Sequence, residues 1–169
     1  KLIDELGLCK PHSSLSWQDR NIASVAEALV WSARFMRSIF LNRKETFEKL
    51  FRGEGGICLI HGDTLTTLLS LLCAKRCELK VAHVEAGLRS YDLLNPFPEE
   101  IIRLVAMRYS DLLFAPSAGA VGNLQRMGYD EKSVYTGANT IVDAIREALH
   151  NGSSNGMPQR PYVVVTVHR

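Results

Sequence analysis

Residues 80–117 read KVAHVEAGLRSYDLLNPFPEEIIRLVAMRYSDLLFAPS, and this stretch decides the fold. An apolar run ends abruptly in His83 and Glu85. A loop follows, and then Pro98 sits in the first turn of a predicted helix, FPEEIIRLVAMRYS. A second apolar run, DLLFAPS, closes the unit. Strand, loop, helix, strand is the pattern of a parallel βαβ crossover.

The same rhythm continues in both directions. Upstream, ICLIHGD is a short apolar run, and TLTTLLSLLCAKRC is a helix opened by a Thr. Downstream, SAGAVGNLQRMG is a helix capped by Ser117 and stopped by Gly128. SVYTGAN is a fourth strand, TIVDAIREALH a helix, NGSSNGMPQR a loop, and PYVVVTVHR a fifth strand. Before all of these, the chain from Trp17 to about Phe51 lacks Pro and Gly. Ile22, Val25, Ala26, Leu29, Val30 and Ala33 recur there at helical spacing. That predicts one long helix, broken near Asn42 and ended by RGEGG. The expected fold class is α/β, a Rossmann-like parallel sheet. Its strands are apolar along their length, as strands are when helices cover both faces.

Composition narrows the function. The chain has 169 residues, 46% hydrophobic and 22% charged, with a formal net charge of +2. Its lysines and arginines are scattered, so no nucleic-acid partner is expected. No apolar run is long enough to span a membrane, and no membrane partner is expected. Of the four cysteines, Cys73 and Cys77 share a helix face in an apolar stretch. Neither has further ligands at metal-binding spacing, so both read as small buried hydrophobes. Reduced cysteines suit the cytoplasm. Asn151-Gly152-Ser153 matches a glycosylation sequon and is read as loop composition. The chain opens on Lys1 and closes on a strand, so it reads as a fragment, cut at both ends.

In an open parallel sheet, ligands meet the carboxyl ends of the strands. Those ends carry His61, Gly62, Asp63 and Thr64, then His83, Glu85 and Gly87, then Pro116 and Ser117, then Thr136 and Gly137, and finally Thr166, His168 and Arg169. Glu99 and Glu100 open the helix after the second strand and lie near the same edge. Several ionisable groups close together can divide acid and base roles. Each also has a plainer reading. Asp63 could cap the next helix. Glu99 and Glu100 could favour the positive end of theirs, by about 0.3–1 kcal/mol each. His61 and His83 read equally well as core histidines, and Arg89 and Arg103 as surface charges or phosphate partners. Pattern alone reaches an α/β enzyme or a binding domain for an anionic ligand.

HGDT, HVEAGLRSYDLLNPFPEE and VTVHR, in this order and at these separations, resemble the UDP-N-acetylglucosamine 2-epimerase family. The resemblance covers residues 57–169 and extends toward the helical start. It implies a GT-B arrangement of two Rossmann-like domains with the nucleotide sugar between them. Residues 1–169 would then be an N-terminal domain incomplete at both ends, without the C-terminal domain. It implies interconversion of UDP-GlcNAc and UDP-ManNAc with no metal or nicotinamide cofactor, by removal of the C2 proton and anti elimination of UDP. Asp63, Glu85 and Glu99 match the family's essential carboxylates and His168 its essential histidine, placed near the diphosphate. His61, Thr64, His83, Arg89 and Arg169 are then substrate contacts. By the same analogy a homodimer is expected, supplying ManNAc-type sugars.

The chain also departs from the family pattern. The first strand with its Gly-Thr-Arg-Pro-Glu loop is missing. TGANT stands where the family usually has TGNT, longer by Ala138. The 169 residues alone are expected not to turn over. The alternatives are the hydrolysing branch, which releases ManNAc and UDP, an epimerase of another UDP-2-acetamido sugar, a GT-B glycosyltransferase, and a non-catalytic nucleotide-sugar-binding domain.

Overall fold

The computed structural model describes Cys9 and residues 22–151. The predicted fifth strand, with Thr166, His168 and Arg169, lies outside the described residues.

The predicted long helix is two helices. α1 spans Val25–Leu41 and α2 spans Arg43–Phe51, with the break at Asn42. A variant of the capping box starts α1, its glutamate reaching one residue before the cap. The Ser24 hydroxyl accepts from the Glu27 N–H at 3.2 Å, and the Glu27 carboxylate accepts from the Ala23 N–H at 2.9 Å. Arg52 ends α2 in the left-handed region. The apolar stripe that predicted α1 does not form its buried face. Val25, Leu29 and Val30 are exposed, whereas Phe35 and Ile39 are buried. The reason is contact length. Phe35 and Ile39 pack with Leu69 and Cys73 of the helix spanning Leu65–Arg76, with Trp31 and Met36 against the same cluster, so the packed part of α1 runs from Trp31 onward and the stripe before it is left out.

Then the α/β alternation begins. β1 (Ile57–His61), α3 (Leu65–Arg76), β2 (Lys80–Val84), α4 (Glu99–Tyr109), β3 (Leu112–Ala115), α5 (Ala118–Arg126), a 3-10 turn (Asp130–Lys132) and β4 (Ser133–Tyr135) follow in order. The strands lie in the order β1-β2-β3-β4, all parallel. Most boundaries fall within a residue or two of the sequence reading, as expected for local signals, but β2 and β4 end earlier than the apolar runs suggested, at Val84 and Tyr135. Ser117 caps α5 by accepting from the Ala120 N–H at 3.2 Å, and Gly128 stops it with φ of 73°.

Side chains alternate across a strand, so the register divides the sheet into two faces. Cys58, Ile60, Val81, His83, Leu113 and Ala115 share one. Against it, Ile60 and Val81 pack with Leu71, Ala74 and Ala106, while Leu113 and Ala115 pack with Met107, Ala120 and Leu124. On the opposite face Ile57, Leu59 and Val134 are exposed. Among the described residues, then, helix cover is seen on the first of these faces. Cys73 and Cys77 are both buried, as read from their spacing, and burial above all raises the Cys73 thiol to about 12.

α4 carries the site and is fixed at its far end by Lys132. The Lys132 ammonium donates to the carbonyls of Met107, Arg108 and Ser110 at 2.8, 3.2 and 3.0 Å. A cation there meets the negative end of the helix.

The second compact unit begins at Ala138 and contains α6 (Thr140–Asn151). The Asn139 side chain starts α6, accepting from the Ile141 N–H at 3.0 Å. Among the described residues no helix is long and apolar enough to cross a membrane.

Candidate active site

β1 leaves the sheet through Gly62, whose φ of 70° is the left-handed region where glycine is favoured. Thr64, not Asp63, caps the following helix. Its hydroxyl accepts from the Thr67 N–H at 3.4 Å, and the Thr67 hydroxyl donates to the His61 carbonyl at 2.7 Å. Asp63 is thereby released from local duty, and its carboxylate pairs with the Arg103 guanidinium on α4.

β2 leaves through Glu85, which holds φ of 67° without being glycine. That conformation costs an ordinary residue on the order of 1 kcal/mol, and such strain gathers at functional sites. The Glu85 carboxylate stands 3.6 Å from His61 Nε2. A Cβ added at Gly62 would lie 3.8 Å from Glu85 Oε2, so the two strand exits are neighbours. Two residues on, Gly87 has φ of 84°. A Cβ there would approach the Ala120 carbonyl oxygen to 2.4 Å, so the chain passes α5 too closely for any side chain.

The two glutamates that open α4 have different surroundings. Glu99 is partly buried, and its Oε2 is enclosed with no hydrogen-bond partner among the described residues. Glu100 is 0% exposed. Its Oε1 accepts from Arg89 Nε, and its Oε2 accepts from Arg103 Nη1 at 2.7 Å and from the Ser90 N–H at 3.1 Å. Burial alone would raise the Glu100 carboxyl, but the bonds from Arg89, Ser90 and Arg103 outweigh it and hold it below its ordinary value.

By sequence alone His83 fits a ligand contact or a core histidine. Its ring is 0% exposed, and Nε2 lies 2.7 Å from the Gly62 carbonyl oxygen. A carbonyl only accepts, so Nε2 carries the proton. Burial lowers the ring's pKa, and Arg103 adds to that. His83 is thus a neutral core residue that braces the Gly62 turn.

The loop from Leu88 to Pro98 is tied at its start. Arg89 bonds Glu100 and stacks 4.8 Å from the Tyr91 ring centroid. The Tyr91 hydroxyl meets Asn123 and accepts from Arg126 Nη2 at 2.9 Å. Asn123 also donates to the Gly87 carbonyl at 2.8 Å. Farther along, Leu93, Leu94 and Phe97 are exposed.

Of the residues expected at the site, the structure gathers His61, Asp63, Thr64, Glu85 and Glu99 around the carboxyl ends of β1 and β2. His168 and Arg169 lie outside the described residues. What sequence reasoning missed is the Glu100 hub with its two arginines. A faint signal was present. Glu100 and Arg103 lie one helical turn apart, on the face that also carries the buried Ala106 and Met107.

Comparison with known proteins adds a family. The sequence profile of UDP-N-acetylglucosamine 2-epimerase matches residues 41–169. The UDP-N-acetylglucosamine 2-epimerase of Bacillus subtilis is 33% identical over 139 residues, covering 79% of this chain and 37% of that protein. The Methanocaldococcus jannaschii enzyme of the same name is 41% identical over 106 residues, covering 63% and 28%. A crystal structure of the M. jannaschii protein in complex with UDP-GlcNAc and UDP superposes with a TM-score of 0.68 at 33% identity, covering 91% of this chain and 38% of that one. The chain therefore spans about a third of the length of the relatives it matches.

Proposed function

This chain belongs to the UDP-N-acetylglucosamine 2-epimerase family, and we propose that residues 1–169 are part of the N-terminal domain of an enzyme interconverting UDP-GlcNAc and UDP-ManNAc. The observation that carries this reading is the set of three carboxylates, Asp63, Glu85 and Glu99, at the exits of β1 and β2 and the start of α4. Epimerisation at C2 needs this kind of set. One group takes the C2 proton, the C1–oxygen bond to UDP breaks, and 2-acetamidoglucal is left in the site. A proton then returns to the other face of C2 as UDP adds back to C1. Two faces require groups on two sides.

The three carboxylates stand in different settings, one beside Arg103, one beside His61 and one with an enclosed oxygen. In this reading they do the acid and base work as a set, and His168 stands near the diphosphate, where an imidazolium offsets the charge of the departing group. His61, Thr64 and Arg169 line the sugar-nucleotide path, with His83 behind them and Arg89 at the base of the adjoining loop. A second domain closes over the edge and keeps the intermediate from escaping. The protein works as a homodimer in the cytoplasm, where free thiols such as Cys73 and Cys77 persist.

The test uses the full-length protein with UDP-GlcNAc in heavy water, followed by proton NMR. Deuterium at C2 with UDP-ManNAc appearing supports the reading. Free ManNAc with UDP moves the protein to the hydrolysing branch. UDP-GlcNAc that binds without C2 exchange overturns the reading. Asp63→Asn and Glu85→Gln are expected to lower turnover at least ~100-fold while leaving UDP binding largely intact.

A further inference from the structure

We infer that Arg103 and Glu100 form a positioning relay that orients the Asp63 carboxylate, set from the loop after β2 by Arg89 and Ser90. This rests on the reading of Asp63 as a group that moves the C2 proton.

Asp63 needs such a device. The Gly62 turn is held through backbone and hydroxyl contacts of Thr64 and Thr67, and none of these reaches the Asp63 carboxylate. Arg103 does. One end of its guanidinium holds Asp63 Oδ2 and the other donates to Glu100 Oε2 at 2.7 Å. The guanidinium is planar and rigid, so fixing one end fixes the other. Glu100 cannot turn, because its Oε1 takes Arg89 Nε and its Oε2 also takes the Ser90 N–H. A fully buried carboxylate therefore sets the plane of a partly exposed one, and Oδ1 is left as the Asp63 oxygen the guanidinium does not hold. Both terminal nitrogens of Arg103 are engaged by carboxylates, and its side chain is only 14% exposed. That geometry favours orientation over direct capture of the departing diphosphate.

The variants are Arg103→Lys, which keeps the charge and loses the fork, and Glu100→Gln, which keeps the shape and loses the charge. In the full-length protein with UDP-GlcNAc, each is expected to lower kcat and C2 deuterium exchange together by roughly 10–100-fold, with KM little changed. The Arg103→Lys/Asp63→Asn double variant is expected to be no slower than Asp63→Asn alone, because the relay acts only through Asp63. A raised KM with kcat retained, or additive losses in the double variant, overturns the relay. Crystal structures of wild type and Arg103→Lys give a readout independent of turnover. A displaced Asp63 carboxylate supports the relay and an unmoved one overturns it, even if the wild-type protein leaves UDP-GlcNAc untouched and the proposed function falls.

Discussion

After β1 the chain enters α3 through residues 62–64, whereas after β2 it takes residues 85–98 to enter α4. The first exit is made mostly by local means, a glycine in the left-handed region and a threonine cap, with His83 of β2 bracing the Gly62 carbonyl. The second is made by distant ones, with Gly87 pressed against α5, Arg89 and Ser90 on Glu100, and Tyr91 on Asn123 and Arg126. The difference teaches where each part of the site draws its precision. A short turn is dictated by its own residues, but a long loop is only as well placed as the core groups it reaches.

That contrast can be broken from the core outward. The largest loss is expected from Glu100→Ala, which strips Arg89 of its carboxylate partner, leaves Arg103 with Asp63 alone and so exposes a largely buried charge, at about 4 kcal/mol by urea unfolding. The same group gives a pH signature. Its folded pKa is depressed, so its stabilisation is fully present above the unfolded value of 4.5 and is lost as pH falls through the folded value. Glu100→Gln is expected to flatten the acid limb of stability below pH 4.5, and an unchanged limb would remove Glu100 from the account. Next comes Gly87→Ala, where a positive φ and a backbone clash together cost about 3 kcal/mol, read as a lower denaturation midpoint. At the short exit the losses shrink. Gly62→Ala has room for its Cβ, so only the left-handed φ counts, about 1–2 kcal/mol. Thr64→Ala removes one cap, about 1 kcal/mol. A short-exit variant that costs as much as Glu100→Ala would erase the distinction.

The same contrast decides what could be read from the sequence. The α/β alternation, the break at Asn42 and the caps at Thr64 and Ser117 were legible because each depends on a few neighbouring residues. So was the gathering of Asp63 and Glu85, since strand ends in a parallel sheet share an edge. The pairing of Glu100 with Arg89 and Arg103 was not. Two adjacent glutamates open α4, and which one turns inward depends on how the helix is rotated against the sheet, a tertiary fact. His83 was ambiguous for a like reason, because its strand position fixes a face but not what covers it. The stripe of α1 misled, because periodicity identifies an apolar face without supplying the partner that buries it.

Lys132 gathers three carbonyls at the far end of α4, the helix whose first residues are Glu99 and Glu100. The helix is therefore gripped at both tips, and its axial setting is a reference length shared by the working edge and the rear of the sheet. A one-residue insertion between Ser110 and Lys132 would shift that reference and be felt at Glu99. The same insertion beside the exposed Leu93 and Leu94 would be absorbed where it occurs. Tolerance to lengthening in this protein is thus graded by attachment to α4, and distance from the carboxylates is a poor guide to it.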